Sequence, residues 1–124
     1  MTNGASEGVR LAMRMVLRNF KQGILIPIPQ YPLYSAQITL DGGAMVSYYL
    51  EEEKNWGVDI DDIRYRIKNA TDVGIDMRAI VVINPGNPTG NVLRRGDIEG
   101  IIKISYENNL MIMADEVYQN NIYY

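Results

Sequence analysis

The sequence predicts an α/β fold in which a doubly wound, mostly parallel sheet is flanked by helices. Short apolar runs rich in β-branched residues recur along the chain, and segments with apolar residues at helical spacing separate them. The alternation is clearest between residues 78 and 118. There an apolar run at 78–83 precedes a Pro- and Gly-rich loop, a helical pattern at 97–108 and a second apolar run at 110–114. Strand, helix and strand in this order form a βαβ unit with parallel strands.

The first half of the chain predicts a long helix and then shorter elements. Residues 6–20 carry apolar side chains at helical spacing, while Arg10, Arg14 and Arg18 follow a second stripe, which indicates an amphipathic helix with a solvated basic face. The elements predicted after it are a strand at 24–28, a short helix at 34–40, a turn at 41–43, a strand at 45–50 and a solvated acidic loop at 51–55.

The second half predicts two more helices. Asp59 fits an N-cap, and Ile60, Ile63 and Ile67 form one apolar face of a helix that ends near Asn69. The side chains of the 97–108 helix are predicted to divide into an inward set, Ile98, Ile101, Ile102 and Tyr106, and an outward set, Lys103 and Glu107. Nothing in the pattern marks an internal boundary, so residues 1–124 are expected to form a single domain.

Composition excludes several classes of protein. With 47% hydrophobic and 22% charged residues, the chain is typical of a soluble globular domain. No apolar stretch approaches the ~20 residues of a membrane span, and Met1 leads directly into polar residues, which argues against secretion. The lack of Cys argues against disulfide bonds, and the lack of both Cys and His argues against a metal site and a histidine base. The net charge of −3 argues against binding of nucleic acid. Acid-base chemistry must then use Lys, Tyr, Asp or Glu, or a cofactor.

Polar side chains cluster where the predicted strands end. Asn87 follows the first strand of the central unit, and Asp115 and Tyr118 follow its second strand. Because α/β sheets bind ligands at the carboxyl ends of their strands, a short ring-shaped ligand could contact all three side chains. Tyr31 follows another strand and lies between two prolines, so it could form a stacking platform, although a tyrosine at the rim of the core is the commoner case.

Two motifs in the central unit resemble a known family. The sequence Asn-Pro-Gly-Asn-Pro-Thr-Gly at 84–90, followed by Asp-Glu-Val-Tyr at 115–118, resembles the pyridoxal-phosphate-dependent aminotransferases of fold type I, classes I and II. Segments 27–36 and 114–119 are most similar to the alanine aminotransferases within that family. The resemblance covers essentially all 124 residues. It implies the central part of the large, cofactor-binding domain of such an enzyme.

The resemblance implies that pyridoxal 5′-phosphate is the cofactor. The backbone amides of Ala5 and Ser6, together with the Ser6 hydroxyl, would bind its phosphate at the N-terminus of the first predicted helix. Tyr31 would stack on its ring, whereas Tyr34 is expected to be structural. On the residues alone, an ordinary helix cap is the commoner explanation of the Gly- and Ser-containing turn before the first helix.

Three further contacts are implied at the edges of the cofactor ring. Asn87 and Tyr118 would contact the phenolic oxygen, and Asp115 would accept a hydrogen bond from the protonated ring nitrogen. The resemblance also implies a cis peptide bond between Asn87 and Pro88. Without the resemblance, each residue has an ordinary structural explanation. Asn87 could belong to a surface turn, Asp115 could be an N-cap or part of a structural ion pair, and Tyr118 could be a half-buried tyrosine.

Covalent catalysis has no predicted residue in this chain. Transamination needs an amine that forms a Schiff base with the cofactor. The lysines of the chain are Lys21, Lys54, Lys68 and Lys103. None of them is predicted to adjoin Asp115 or Asn87. The resemblance implies that the Schiff-base lysine and the arginine for the substrate carboxylate lie beyond Tyr124. The chain is therefore predicted to be an inactive fragment without the N-terminal segment, the lysine region and the small C-terminal domain.

The implied function is transfer of an amino group between L-alanine and 2-oxoglutarate, giving pyruvate and glutamate. The alternatives are an aromatic aminotransferase, an aminocyclopropane-carboxylate synthase, or a non-catalytic module that binds the cofactor or a partner. An unrelated nucleotide-binding domain would need a Gly-x-Gly-x-x-Gly motif or a phosphate-loop lysine, and the sequence has neither. The family implies a homodimer. The cytoplasm is the expected compartment, and a mitochondrial location stays open because a presequence would precede Met1.

Overall fold

The computed structural model describes residues 1–123 and confirms the α/β fold class. Its elements are α1 (Ala5–Val16), β1 (Gln22–Ile28), α2 (Leu33–Asp41), β2 (Ala44–Glu51), β3 (Gly57–Val58), α3 (Ile60–Asp72), β4 (Asp76–Ile83), α4 (Arg95–Glu107) and β5 (Met111–Asp115), with short 3₁₀ turns at Glu52–Lys54 and Gln119–Asn121. Of the helices in residues 1–123, none has the length and apolar character that a bilayer span requires.

The strands form one sheet with helices on both faces. Their order is β3-β2-β1-β4-β5, and all neighbours are parallel except β3, which runs antiparallel to β2. Because side chains alternate along a strand, Ile80 and Val82 of β4 pack with α3 and α4, whereas Ala79 and Val81 pack with α1 and α2. A sheet covered on both faces needs strands that are apolar throughout, which explains the continuous apolar runs in the sequence.

The sheet has a topological switch point between β1 and β4. The chain leaves β1 through α2 to β2 on one side, and later returns to β4 on the other side. The pairing between β1 and β4 ends at Leu25 and Ile80, although β1 stays paired with β2 as far as Ile28 and β4 with β5 as far as Ile83. The carboxyl ends of β1 and β4 are therefore not joined, and ligands of doubly wound sheets bind in such a crevice.

The first helix is shorter than the sequence predicted. It ends at Val16, not at Phe20, because Leu17 adopts an extended conformation (φ −93°, ψ 121°). Leu17 is buried and its side chain occupies the space over Gly43, where a Cβ atom would come within 2.6 Å of Leu17 Cδ1. The Arg18 amide then donates to Gln22 Oε1 at 2.8 Å, so Arg18 lies in the turn to β1 rather than on the helical stripe.

The inward face predicted for α4 was largely wrong. Ile101 is buried as expected, but Ile98, Ile102 and Tyr106 are 37%, 52% and 86% exposed. The buried stripe instead contains Asp97, Ile101, Ile104 and Ser105. Gly100 explains why a different face of the helix is buried. Ile60 of α3 packs against this glycine so closely that an added Cβ atom would lie 2.7 Å from Ile60 Cγ1. Close packing over this glycine turns its face of the helix inward. Lys103 and Glu107 are exposed, as predicted.

The region between β2 and α3 contains a strand that the sequence did not reveal. Asn55 and Trp56 adopt left-handed conformations (φ 57° and 59°) and reverse the chain, so that β3 pairs with the end of β2. A two-residue strand is too short to show a period. The N-cap prediction is confirmed, because the Asp59 carboxylate accepts from the amides of Asp61 at 2.8 Å and Asp62 at 3.2 Å. The helix continues to Asp72, three residues past the predicted end.

Candidate functional site

The six residues predicted to bind a cofactor lie around one cavity at the carboxyl edge of the sheet. Its volume is about 210 Å³. The lining residues are Ala5, Ser6, Val9, Tyr31, Leu33, Ile83, Asn87, Asp115, Val117 and Tyr118. β1, β4 and β5 deliver their polar side chains where each strand ends, and the first turn of α1 closes one side. Residues far apart in the sequence thus meet at the switch point of the sheet.

Asp115 is the last residue of β5 and is half-buried. Its carboxylate accepts a hydrogen bond from the Tyr34 hydroxyl through Oδ2 and one from the Val117 amide through Oδ1 at 3.3 Å. Within residues 1–123, no Lys or Arg forms an ion pair with this carboxylate. The structural ion pair left open by the sequence is therefore absent from the described residues. Two neutral donors hold the negative charge at the cavity wall.

The sequence predicted a structural role for Tyr34 and did not reveal its contact with Asp115. Tyr34 lies in the first turn of α2 with a relative exposure of 1%. Burial raises the pKa of Tyr34 well above its usual range, and the hydrogen bond to Asp115 and the charge of that carboxylate raise it further. The hydroxyl is therefore a protonated donor at physiological pH. No sequence pattern pairs residues 81 positions apart, so the contact could not be predicted.

Asn87 and Tyr118 lie side by side, as the sequence predicted. Asn87 Nδ2 donates a hydrogen bond to the Tyr118 hydroxyl oxygen at 3.2 Å. The Asn87–Pro88 bond is cis, as expected, and so are Asn84–Pro85 and Ile28–Pro29. An amide NH₂ and a phenol hydroxyl thus face the cavity beside each other. This pair can donate hydrogen bonds to a single anionic oxygen.

Hydrogen bonds to the buried residue Asn91 hold the loop that presents Asn87. The Gly86 amide donates to the Asn91 carbonyl at 2.9 Å, and Asn91 Nδ2 donates to the Trp56 carbonyl at 2.9 Å. The Thr89 hydroxyl donates to Asn91 Oδ1. These bonds tie the loop after β4 to the segment before β3. The position of Asn87 therefore depends on contacts made behind the cavity.

The remaining walls of the cavity come from α1 and Tyr31. The first intrahelical bond of α1 runs from the Gly8 amide to the Gly4 carbonyl at 3.4 Å. The amides of Ala5 and Ser6 precede it and so have no partner within the helix, which leaves donors and the positive end of the dipole facing the cavity. Tyr31 is 45% exposed, so one part of its ring is open to a ligand.

No amine reaches the cavity within the described part of the chain. Lys54 pairs with Glu51 at 2.7 Å, Lys68 with Asp72 at 2.5 Å, and Lys103 approaches Glu107 at 4.0 Å. Neither these lysines nor Lys21 line it. Residues 1–123 also hold no group of three or more His, Cys, Asp or Glu side chains suited to a metal ion.

The sheet is doubly wound, and it brings a carboxylate, an amide and a phenol to one cavity at its switch point, which is where α/β domains of this class bind their ligands. Residues 1–123 match the family model described as aminotransferase class I and II, and the chain belongs to this family.

Curated relatives and solved structures agree with this assignment. The chain is 53% identical to alanine aminotransferase 2 of Panicum miliaceum and 50% identical to glutamate–glyoxylate aminotransferase 2 of Arabidopsis thaliana, over 99% of its own length in both cases. It spans about a quarter of each of these relatives, 26%.

Among solved structures, an alanine aminotransferase from Pyrococcus furiosus matches with a TM-score of 0.82 and 36% identity, over 93% of this chain and 28% of the other. An aminotransferase from Escherichia coli matches with a TM-score of 0.82 and 39% identity, over 92% and 26%. The predicted fold type I architecture is confirmed by these matches. Coverage of about a quarter agrees with the expectation that the chain corresponds to part of such an enzyme.

Proposed function

We propose that this chain forms the part of an aminotransferase that holds the ring and phosphate of pyridoxal 5′-phosphate. The parent activity is transfer of an amino group between L-alanine and 2-oxoglutarate, giving pyruvate and glutamate. The supporting observation is the single cavity that all six predicted contact residues line. We assign residues 1–124 to the large cofactor-binding domain. Amino acids and 2-oxo acids are the substrates, and the whole enzyme is a homodimer.

The donors and acceptors around the cavity fit this cofactor. Asp115 offers a carboxylate with no cationic partner among the described residues, which suits a protonated ring nitrogen. By holding the proton on that nitrogen, Asp115 keeps the ring electron-poor. The cofactor, when bound, supplies an electron sink for the electrons left when a proton leaves the substrate Cα.

The other residues bind and orient. Asn87 Nδ2 and the Tyr118 hydroxyl would donate to the phenolic oxygen, and the free amides at the start of α1 would bind the phosphate. Ser6 adds its hydroxyl to those amides. The Tyr31 ring stacks on one face of the cofactor and excludes water from it. Each of these residues lines the cavity.

Covalent attachment is assigned to a residue outside the described segment, because none of the lysines lines the cavity. The isolated chain is then expected to bind the cofactor without turnover.

The relatives support two pairs of substrates. Alanine is favoured by the relative at 53% identity, but a glutamate–glyoxylate aminotransferase at 50% supports a second candidate, transfer from glutamate to glyoxylate. We propose the cytoplasm as the compartment. Three of the relatives are named mitochondrial alanine aminotransferases, two from Arabidopsis thaliana and one, given as probable, from Dictyostelium discoideum.

The test is an absorbance titration of pyridoxal phosphate into this chain, followed by borohydride trapping. Asp115→Ala removes the proposed ring contact, and Asp61→Ala removes a carboxylate that is 90% exposed and does not line the cavity. We expect binding by the wild-type chain and by Asp61→Ala, no binding by Asp115→Ala, and no trapped lysine. Trapping of one specific lysine with turnover of alanine would show that the chain supplies covalent catalysis itself. Absence of binding by the wild-type chain would show that these residues do not suffice.

A further inference from the structure

The contact between Tyr34 and Asp115 joins two elements that share no ladder hydrogen bonds. Tyr34 belongs to α2, and its ring lies in the apolar cluster that α1 and α2 form against the sheet. Asp115 ends β5, and the backbone there is fixed by a bond from the Asn84 amide to the Asp115 carbonyl at 3.0 Å. The Tyr34 ring is 1% exposed and packs in that cluster, so core packing holds the position of its hydroxyl.

The Asp115 carboxylate contacts Tyr34 and also lines the candidate cofactor cavity. Tyr34 does not line that cavity. Tyr34 instead lines a neighbouring groove of about 410 Å³ between α1 and β5, and Asp115 lines this groove as well. A carboxylate has about four acceptor positions, and the Tyr34 and Val117 donors occupy two of them. The remaining positions are free for a ligand in the cavity.

We propose that Tyr34 is a positioning residue that holds the Asp115 carboxylate in the orientation required to contact the ring nitrogen of the cofactor. The inference rests on the proposed function for the identity of that ligand. Without the hydroxyl, one carboxylate oxygen of Asp115 loses its buried donor and turns toward water. Asp115 would then meet the ligand in several orientations, and binding would weaken without any change in the residues that line the cavity.

A structural role alone would make a different prediction. If the hydroxyl only satisfies a polar atom in the core, its removal lowers stability but leaves ligand affinity unchanged. Tyr48 provides the matched control, since it is 2% exposed and its hydroxyl donates to the Val81 carbonyl at 2.8 Å. Tyr48 does not line the cofactor cavity. Both tyrosines can be changed to Phe with loss of one buried hydroxyl and no loss of ring packing.

The first experiment measures the Kd of pyridoxal phosphate for the 124-residue chain and its Tyr34→Phe, Tyr48→Phe and Asp115→Ala variants, with urea unfolding of each. We expect both Phe variants to lose stability, but only Tyr34→Phe to raise Kd, by about tenfold, which is the effect of one hydrogen bond to a charged group. Tyr48→Phe should stay within about twofold of wild type.

The outcomes distinguish the two proposals. Loss of binding in Asp115→Ala with equal Kd in the two Phe variants overturns the role of Tyr34 and leaves the proposed function standing. Unchanged binding in Asp115→Ala overturns the proposed function and, with it, the role of Tyr34 toward that ligand.

A second experiment needs neither the cofactor nor a folded Tyr34 variant. Alkaline titration of tyrosine absorbance compares the wild-type chain with Asp115→Asn, which keeps the side-chain shape and removes the charge. Burial is the largest cause of the raised pKa of Tyr34, and the hydrogen bond and the charge of Asp115 add to it, so loss of that charge should shift the most alkaline part of the tyrosine titration to lower pH. Superimposable titration curves would show that the two side chains are not coupled and would overturn the inference.

Discussion

Replacing Gly86 with Ala tests how the loop before α4 presents Asn87. A Cβ atom at Gly86 would overlap Asn91 Oδ1 and Thr89 Oγ1 at distances that real Cβ atoms do not adopt. Both obstructing atoms are side-chain oxygens, so the loop can relieve the overlap only by moving Asn91. That movement breaks the Thr89–Asn91 hydrogen bond and pulls Asn91 Nδ2 from the Trp56 carbonyl, which it now contacts at 2.9 Å.

The expected cost follows from those two hydrogen bonds. Each contributes about 1 kcal/mol net, and because Asn91 is only 7% exposed, an amide left without a partner costs roughly 1–3 kcal/mol. Replacing a glycine restricts the unfolded chain and returns about 0.4–1 kcal/mol. We therefore expect Gly86→Ala to lower the free energy of unfolding by about 2–4 kcal/mol, that is, to lower the urea midpoint by about 1–2 M at a typical m value.

Gly96→Ala is the matched control. Gly96 lies in the first turn of α4 with no atom within 4 Å of an added Cβ, and its φ is not positive. Alanine is the better helix former, so this variant should gain up to about 1 kcal/mol or stay unchanged. Gly86→Ala should also weaken pyridoxal phosphate binding, because Asn87 moves with the loop. Equal urea midpoints for the two variants would refute the proposal that the hydrogen bonds of Asn91 hold this loop in place.

Two further predictions concern pH and association. A hydrogen bond from the Arg94 guanidinium holds the pKa of the buried Asp97 carboxyl below its usual value of 3.8. The ion pair therefore stabilises the fold above pH 3.8. This stabilisation is lost as the pH falls through the lowered pKa of Asp97. Arg94→Met should therefore be less stable than wild type at pH 7, and urea midpoints that differ equally at pH 7 and pH 3 would contradict this. In residues 1–123, β5 pairs only with β4, so its other edge is unpaired. We therefore expect the chain to associate in a concentration-dependent way in sedimentation experiments. Ile112→Lys in β5 should reduce this association, whereas the control Leu40→Lys, at an exposed residue of α2, should not. A stable wild-type monomer at high concentration would be inconsistent with it.

The fold class and much of the site could be predicted because both depend on short-range pattern and topology. Apolar runs locate β1, β4 and β5, and parallel strands bring their carboxyl ends to one edge, which brings Tyr31, Asn87 and Asp115 together. The rotation of α4 could not be predicted, since two apolar stripes compete in its sequence and the choice depends on Ile60 packing over Gly100. The Tyr34 contact was missed for a related reason: it depends on where α2 lies against the sheet, which periodicity does not specify.

The energetics of Asp115 explain why this contact matters for a binding site. A half-buried carboxylate is destabilising unless donors or a cation meet it. The chain has 12 Lys and Arg residues, yet within residues 1–123 Asp115 is met only by the neutral Tyr34 hydroxyl and the Val117 amide. Neutral donors fix the orientation of the carboxylate but leave its charge uncompensated. A ligand that brings a protonated ring nitrogen supplies the missing positive charge, and its binding is favoured by the interaction that the chain itself lacks. An arginine at the position of Tyr34 would stabilise the empty chain more, but it would neutralise Asp115 before the ligand arrived.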